Sequence, residues 1–310
     1  MHVAQVGYGS REGPAGSPGA IGVGNRWWGC EDGGTMTFRL TKHHGLGNDF
    51  LVHLTDDASA AADRDAWVPR AVRWCHRHHG IGADGLLIGL HGTGRADLVM
   101  TLINADGSVA EMSGNGIRCL AQAEAMRRNQ ERGTLAIETD GGLRTVEFAA
   151  TATPARHQGV IEASVDMGPA ATGPSADRPV DPVAGERKRA TFDLGNPHLV
   201  VLVEDPSAID LAAAGAEQES AFDHGMNVHF VAPTSGEADA MTMRVWERGA
   251  GVTEACGTGA TAVARAAHDW GLVGERVTVH MPGGDVQVLV GDPMVLRGPS
   301  AFIAGIVVTS

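Results

Sequence analysis

Apolar positions in this chain fall mostly in short runs separated by glycine-rich turns. The runs at 36–40, 48–52, 86–88 and 98–103 predict strands, the last ending at Asn104. Residues 65–79 predict a helix that terminates at Gly80. Asn104-Ala105-Asp106-Gly107-Ser108 reads as a turn that delivers the chain to Ser113 and an alanine-rich helical run. Residues 137–148 predict a hairpin turning at Asp140-Gly141-Gly142.

The same order then returns. Gly195-Asn196-Pro197-His198-Leu199-Val200 echoes Gly47-Asn48-Asp49-Phe50-Leu51-Val52. The strand at 242–246 echoes the one before Asn104 and sets Glu247 opposite it. A helical run after Cys256 echoes the one after Ser113, and a hairpin at Gly283-Gly284 overlies the one at Gly141-Gly142. The offset is 148 residues from Asn48 to Asn196, 143 from Ser113 to Cys256 and 142 from Gly141 to Gly283. So small a drift over three motifs indicates one duplicated unit with loop insertions. Residues 159–165 add a strand and 169–185 a loop; 302–308 read as a closing buried strand that crosses back to the first half. The expected division is a domain of residues 36–157 completed by 299–310, and a second of 158–298. Residues 1–35 carry no period and are rich in Gly with Ser and Pro, which predicts a disordered leader, with Met36 as an alternative start.

Composition narrows the picture. The 310 residues suffice for two modest domains, and a 43% hydrophobic content permits a real core. Aromatics are only 5%, so Val, Leu, Ile and Ala must fill most of it. A formal charge of −13 argues against nucleic acid or an anionic membrane as partner, but not against a small anionic substrate. Cys30, Cys75, Cys119 and Cys256 show no framework spacing, which points to a reduced, cytoplasmic protein. No apolar run is long enough to span a bilayer.

The candidate chemistry sits at the two helix starts. Glu111-Met112-Ser113-Gly114-Asn115-Gly116 aligns with Glu254-Ala255-Cys256-Gly257-Thr258-Gly259. Each places a nucleophile-type side chain just before Gly-x-Gly and a helix. The first N–H groups of a helix have no intrahelical partner and carry the positive end of its dipole, so a carboxylate binds there readily. Two such starts facing each other would hold one small acid between two side chains. A base on one face of a carbon and an acid on the other is what inversion needs, and thiols titrate in a suitable range.

The motifs resemble the cofactor-independent, two-thiol amino-acid racemases and epimerases, and within them the diaminopimelate epimerase family. The resemblance rests on His44-Gly45-Leu46-Gly47-Asn48-Asp49-Phe50, Asn104-Ala105-Asp106-Gly107-Ser108 and Gly114-Asn115-Gly116-Ile117-Arg118-Cys119. It continues in Gly195-Asn196-Pro197-His198 and in Glu247-Arg248-Gly249-Ala250-Gly251, leading to Ala255-Cys256-Gly257-Thr258-Gly259. It implies an α+β fold of two pseudo-symmetric domains, each a mostly antiparallel, barrel-like sheet around a central helix, with the site in the cleft between them. It implies conversion of LL-diaminopimelate to the meso form in lysine and peptidoglycan precursor synthesis, with no cofactor, no metal and a homodimeric assembly. By the same resemblance Cys256 is one acid/base. Gly114, Asn115, Gly257 and Thr258 bind the reacting carboxylate. Asn48, Asn104, Asn196, Asn227 and Arg248 hold the distal amino-acid end, and His198 and Glu247 lie beside the catalytic pair.

Ser113 departs from the pattern, which has cysteine there. A hydroxyl is a much weaker acid than a thiol. Three readings stay open at this point: an epimerase that tolerates serine, a one-base paralogue working from Cys256 (a dehydratase, or an epimerase of another amino acid), and an inactive amino-acid-binding copy. Plainer readings stand beside several residues. Cys75 and Cys119 read as core thiols and the run His76-Arg77-His78-His79 as a helix end rather than a metal site. Glu111 and Glu254 read as helix caps.

Overall fold

The computed structural model describes residues 37–59, 63–92, 94–151 and 159–309. The leader expected at 1–35, with Cys30, lies outside the described residues. The first repeat runs β1 (Thr37–Gly45), β2 (Asn48–Thr55), α1 (Arg64–Cys75), β3 (Gly85–His91), β4 (Leu98–Asn104), β5 (Val109–Ala110), α2 (Gly114–Arg128), β6 (Arg132–Thr139) and β7 (Gly142–Ala150). Two connecting strands follow, β8 (Val160–Gly168) and the short β9 (Ala171–Thr172). The second repeat runs β10 (Lys188–Asp193), β11 (Pro197–Leu202), α3 (Leu211–Glu219), β12 (Asn227–Pro233), β13 (Ala240–Glu247), β14 (Gly251–Thr253), α4 (Gly257–Asp269), β15 (Arg276–Met281) and β16 (Gly284–Leu289). The long β17 (Met294–Thr309) closes the chain.

Strand pairing repeats as the sequence does. β1–β2, β3–β4, β4–β5 and β6–β7 are antiparallel, whereas β2–β3 and β4–β6 are parallel. In the second repeat β10–β11, β12–β13, β13–β14 and β15–β16 are antiparallel, and β11–β12 and β13–β15 parallel. Two strands stitch the repeats together. β8 pairs with β7 and with the first half of β17; β17 pairs with β16 and then, from Ala301 to Thr309, with β1. The closing strand is therefore formed and does return to the first repeat. It is only half covered: Ile306 and Val308 are buried, while Ile303 is 48% exposed. A run apolar on both faces reads as a buried strand, but here one face looks outward.

Each repeat wraps its sheet around one helix. α2 is buried on every side from Gly114 to Ala125, and α4 from Gly257 to Ala264. Alanines let the strands approach the two helices closely, which is how a core with few aromatics closes. One hydrophobic cluster joins both helices to the inner faces of both sheets and runs without a break from one repeat to the other. The outer helices cover separate, smaller clusters. α1 lays Trp67 and Trp74 on Phe38, with ring centroids 5.7 and 5.2 Å apart, and α3 packs Leu211 near Phe222 and Phe230.

The helix expected at 65–79 stops at Cys75. His76 is extended, and its ring nitrogen Nδ1 accepts from the backbone N–H groups of His78 and His79 at 3.2 and 3.0 Å. The N–H of Ile81 and of Gly82 return to the Trp74 carbonyl. The histidine run thus forms a turn that satisfies the helix end, and no metal-binding group of side chains occurs among the described residues. Cys75 and Cys119 are buried core thiols, and burial pushes them up to about 12 and about 11.

Candidate active site

The two central helices meet at their first residues. A Cβ added to Gly114 would lie 3.1 Å from the Cα of Gly257 and 2.9 Å from Cδ2 of Leu296, and the same is true in reverse for Gly257. Only glycine permits so close an approach. The helix starts, with their unpaired N–H groups, therefore face one space. That space is a cleft of about 720 Å³ between the repeats. Ser113 and Cys256 both line it, each in extended conformation as the N-cap of its helix.

The two caps are not equivalent. The Ser113 hydroxyl accepts the Gly116 N–H at 3.0 Å, an ordinary serine cap. The Cys256 thiol makes no comparable cap bond; its Sγ lies 3.5 Å from the Thr258 hydroxyl, near the Glu247 carboxylate. Burial, and next the Glu247 carboxylate, push the thiol well above its usual range, so it rests protonated. Burial also raises Glu247, partly offset by a bond from the Thr253 hydroxyl at 2.5 Å. Burial thus disfavours the anionic form of both groups.

Twelve of the thirteen residues expected from the sequence line this cleft: Ser113, Cys256, Glu247, Gly114, Asn115, Gly257, Thr258, Asn48, Asn104, Asn196, Asn227 and Arg248. His198 does not. It is fully buried behind the wall, where its Nε2 pairs with Asn196 Oδ1 and its Nδ1 with His229 Nε2, both at 2.9 Å. Burial, then His229, hold His198 well below its ordinary range, so it is neutral, with Nε2–H donating to Asn196 and Nδ1 accepting from His229. His229 in turn packs on α4, because a Cβ on Gly259 would fall 2.3 Å from its ring. His198 thus touches the cleft through the Asn196 amide.

Several residues of the site escaped the sequence reading. Arg118 is completely buried on α2 and donates to three neutral acceptors: Pro299 O at 3.2 Å, Gly114 O at 3.0 Å and Asn115 Oδ1 at 2.7 Å. Burial lowers it to about 10, which still leaves it charged. With Oδ1 engaged, Asn115 turns its amide N–H groups to Asn48 Oδ1 at 3.1 Å and to the Ala255 carbonyl at 3.2 Å. One guanidinium thereby ties the start of α2 to the residue before Cys256. The sequence offers little signal for it, because Gln122 and Glu124 share the same helical run. Asp84 also lines the cleft and accepts from Asn48 and from the Asp49 N–H. Glu111 and Glu254 do not cap through their carboxylates; their carbonyls accept from Gly141 and Gly283, which locks each hairpin turn to its helix entry.

The fold and the paired caps narrow the family, and comparison with known proteins decides it. The sequence model of the diaminopimelate epimerase family matches residues 40–172 and 190–301. The chain belongs to the diaminopimelate epimerase family. A diaminopimelate epimerase of Synechococcus elongatus is 39% identical over 268 residues, spanning 82% of this chain and 91% of its own. That of Desulfitobacterium hafniense is 37% identical over 280 residues, spanning 85% and 95%. Among solved structures, a hydroxyproline epimerase from Agrobacterium vitis, with bound trans-4-hydroxy-L-proline, matches at a TM-score of 0.69 and 16% identity, over 88% of this chain and 92% of its own. A PhzF-family phenazine biosynthesis protein of Bacillus anthracis matches at 0.62 and 14%, over 88% and 99%. At such identities the structures share the fold alone: two pseudo-symmetric α+β halves about a central cleft. The family relatives make the chain an isomerase.

Proposed function

We propose that the chain interconverts LL- and meso-diaminopimelate without a cofactor, and that the facing helix starts capped by Ser113 and Cys256 carry this reading. In it, the reacting carboxylate sits between the N–H groups of Gly114 and Asn115 and those of Gly257 and Thr258. Those dipoles, with buried Arg118 one turn behind, strengthen their hold as the carboxylate gains enediolate character. Cys256 exchanges a proton with the α-carbon from one face. Glu247 holds the thiol proton when the sulfur acts as base, and its raised pKa suits it to that task. Ser113 serves the opposite face. Its hydroxyl accepts from Gly116, which leaves its own hydrogen free to point at the carbon. Asn48, Asn104, Asn196, Asn227 and Arg248 hold the distal end, and His198 fixes the Asn196 amide from behind. The domains are residues 36–157 with 299–310, and 158–298. The reading extends to a cytoplasmic homodimer acting on a free amino acid. Buried, unpaired Cys75, Cys119 and Cys256 suit a reducing compartment.

The serine cap supports a second reading, in which Cys256 works alone and exchanges or eliminates from one face. Proton NMR with LL- and meso-diaminopimelate in deuterium oxide separates the two. The first requires α-deuterium incorporation together with interconversion of the isomers. Exchange without inversion supports the second. Loss of both in Cys256→Ala is expected either way, and full activity in that variant would sink the mechanism.

A further inference from the structure

We propose that Glu111 reads the distal ammonium group of the substrate, acting with Arg248 as a single couple that recognises a zwitterionic amino-acid end. The inference rests on the diaminopimelate reading above and adds a residue to it. Glu111 comes from the first repeat and Arg248 from the second, and their side chains meet across the cleft with Oε2 and Nη2 3.7 Å apart. Both are partly exposed to the cleft, so a ligand can reach both.

Four acidic side chains line the cleft among the described residues: Asp84, Asp106, Glu111 and Glu247. Asp84 accepts from Arg77, Asn48 and the Asp49 N–H. Asp106 accepts from the N–H and hydroxyl of Ser108 at 2.8 and 2.6 Å. Glu247 accepts from the Thr253 hydroxyl and sits beside Cys256, away from the distal end. Glu111 has only a loose, solvent-facing approach to the guanidinium, longer than a charge-assisted hydrogen bond.

The substrate carries two carboxylates and two ammonium groups. The helix starts answer one carboxylate and Glu247, beside Cys256, lies where the reacting ammonium would come. The distal end brings a carboxylate and an ammonium on one carbon, a few ångströms apart. Arg248 and Glu111 present the opposite charges at a matching separation. Binding would then exchange one loose ion pair for two close ones, Arg248 with carboxylate and Glu111 with ammonium. Because the two partners come from different repeats, the ligand would also bridge the cleft.

The rival account makes Glu111 a latch that merely competes with the substrate for Arg248. The two accounts predict opposite signs. Titration calorimetry with LL-diaminopimelate tests them on the wild-type chain, Glu111→Gln and Glu111→Lys. The ligand has no net charge at neutral pH, so a change of overall protein charge does not by itself alter affinity. We expect roughly tenfold or greater weakening in Glu111→Gln and more in Glu111→Lys, with melting temperatures near wild type because Glu111 is a rim residue. Tighter binding in either variant, or affinity unchanged within about twofold, overturns the proposal. If the wild-type chain does not bind LL-diaminopimelate, the substrate reading falls and the role of Glu111 with it; wild-type binding without the expected weakening removes Glu111 alone.

Discussion

At the scale of residues, the site is a duplicated frame carrying unlike side chains. Ser113 answers Cys256, Asn104 answers Glu247, and Phe50 answers His198, so at these matched positions the titratable groups other than the caps come from the second repeat. The thiol face has a carboxylate beside it, and the serine face has a backbone cap. Proton transfer from a hydroxyl is the slower half of such a cycle, so Ser113→Cys should raise the interconversion rate by roughly 10²-fold or more, read by NMR in deuterium oxide; an unchanged rate would mean that the serine face is not limiting. A pH dependence follows from Glu247. Burial raises its carboxyl above the ordinary 4.5, and the base form of the couple needs it ionised. The rate should therefore fall as pH drops through that raised value, giving an acid limb at higher pH than a free glutamate would. Glu247→Gln should remove that limb and lower kcat by about 10²-fold. A limb that survives the substitution would belong to another group.

At the scale of elements, the decisive contact is between α2 and α4. Their starts approach through Gly114 and Gly257, and the positive ends of two dipoles are held together by Leu296 packing on both glycines. Gly257→Ala would bring a methyl to 3.1 Å from the Gly114 Cα and 2.9 Å from Leu296 Cδ2. The backbone contact cannot yield as a side chain would, so the helix starts must separate. We expect a cost of about 1–3 kcal/mol in stability and a larger proportional loss in kcat/KM, because in the proposed reading the carboxylate is held between both starts; wild-type kinetics in this variant would show that their contact is immaterial. This element was legible in the sequence. Gly-x-Gly after a polar residue, recurring at a fixed offset, marks two equivalent helix starts, and the strands around them followed from short apolar runs between turns. What the sequence hid were contacts without a local pattern. Arg118 looks like one more polar residue on a helix until its acceptors are known. His198 follows a repeated Gly-Asn element, as a cleft residue would, yet the pleat of β11 turns it into the wall. The end of α1 was misplaced because Gly80 looks like a helix stop, whereas the His76 ring already accepts the N–H groups that another turn of helix would have used.

At the scale of the whole molecule, duplication suggests two units that could melt separately, and the connections argue otherwise. β8 and β17 each pair with strands of the other's neighbourhood, and the last residues of the chain complete the sheet begun by the first described strand. The main core is a single cluster containing α2 and α4 together. Each central helix is wrapped by its own repeat's strands, and both also pack on β17 and on each other, which ties the two halves into one core. Thermal unfolding followed by calorimetry should accordingly show one transition. Leu296 gives the sharper test, since it is fully buried on β17 and touches the first residue of both helices. Leu296→Ala removes packing from the point where the repeats join. The expected cost is about 3–5 kcal/mol, seen as one transition shifted to lower temperature, with weaker substrate binding because the helix starts lose their common support. Two resolved transitions in the variant, one of them at the wild-type temperature, would show that the repeats are independently stable and that the shared core is a contact rather than a condition of folding.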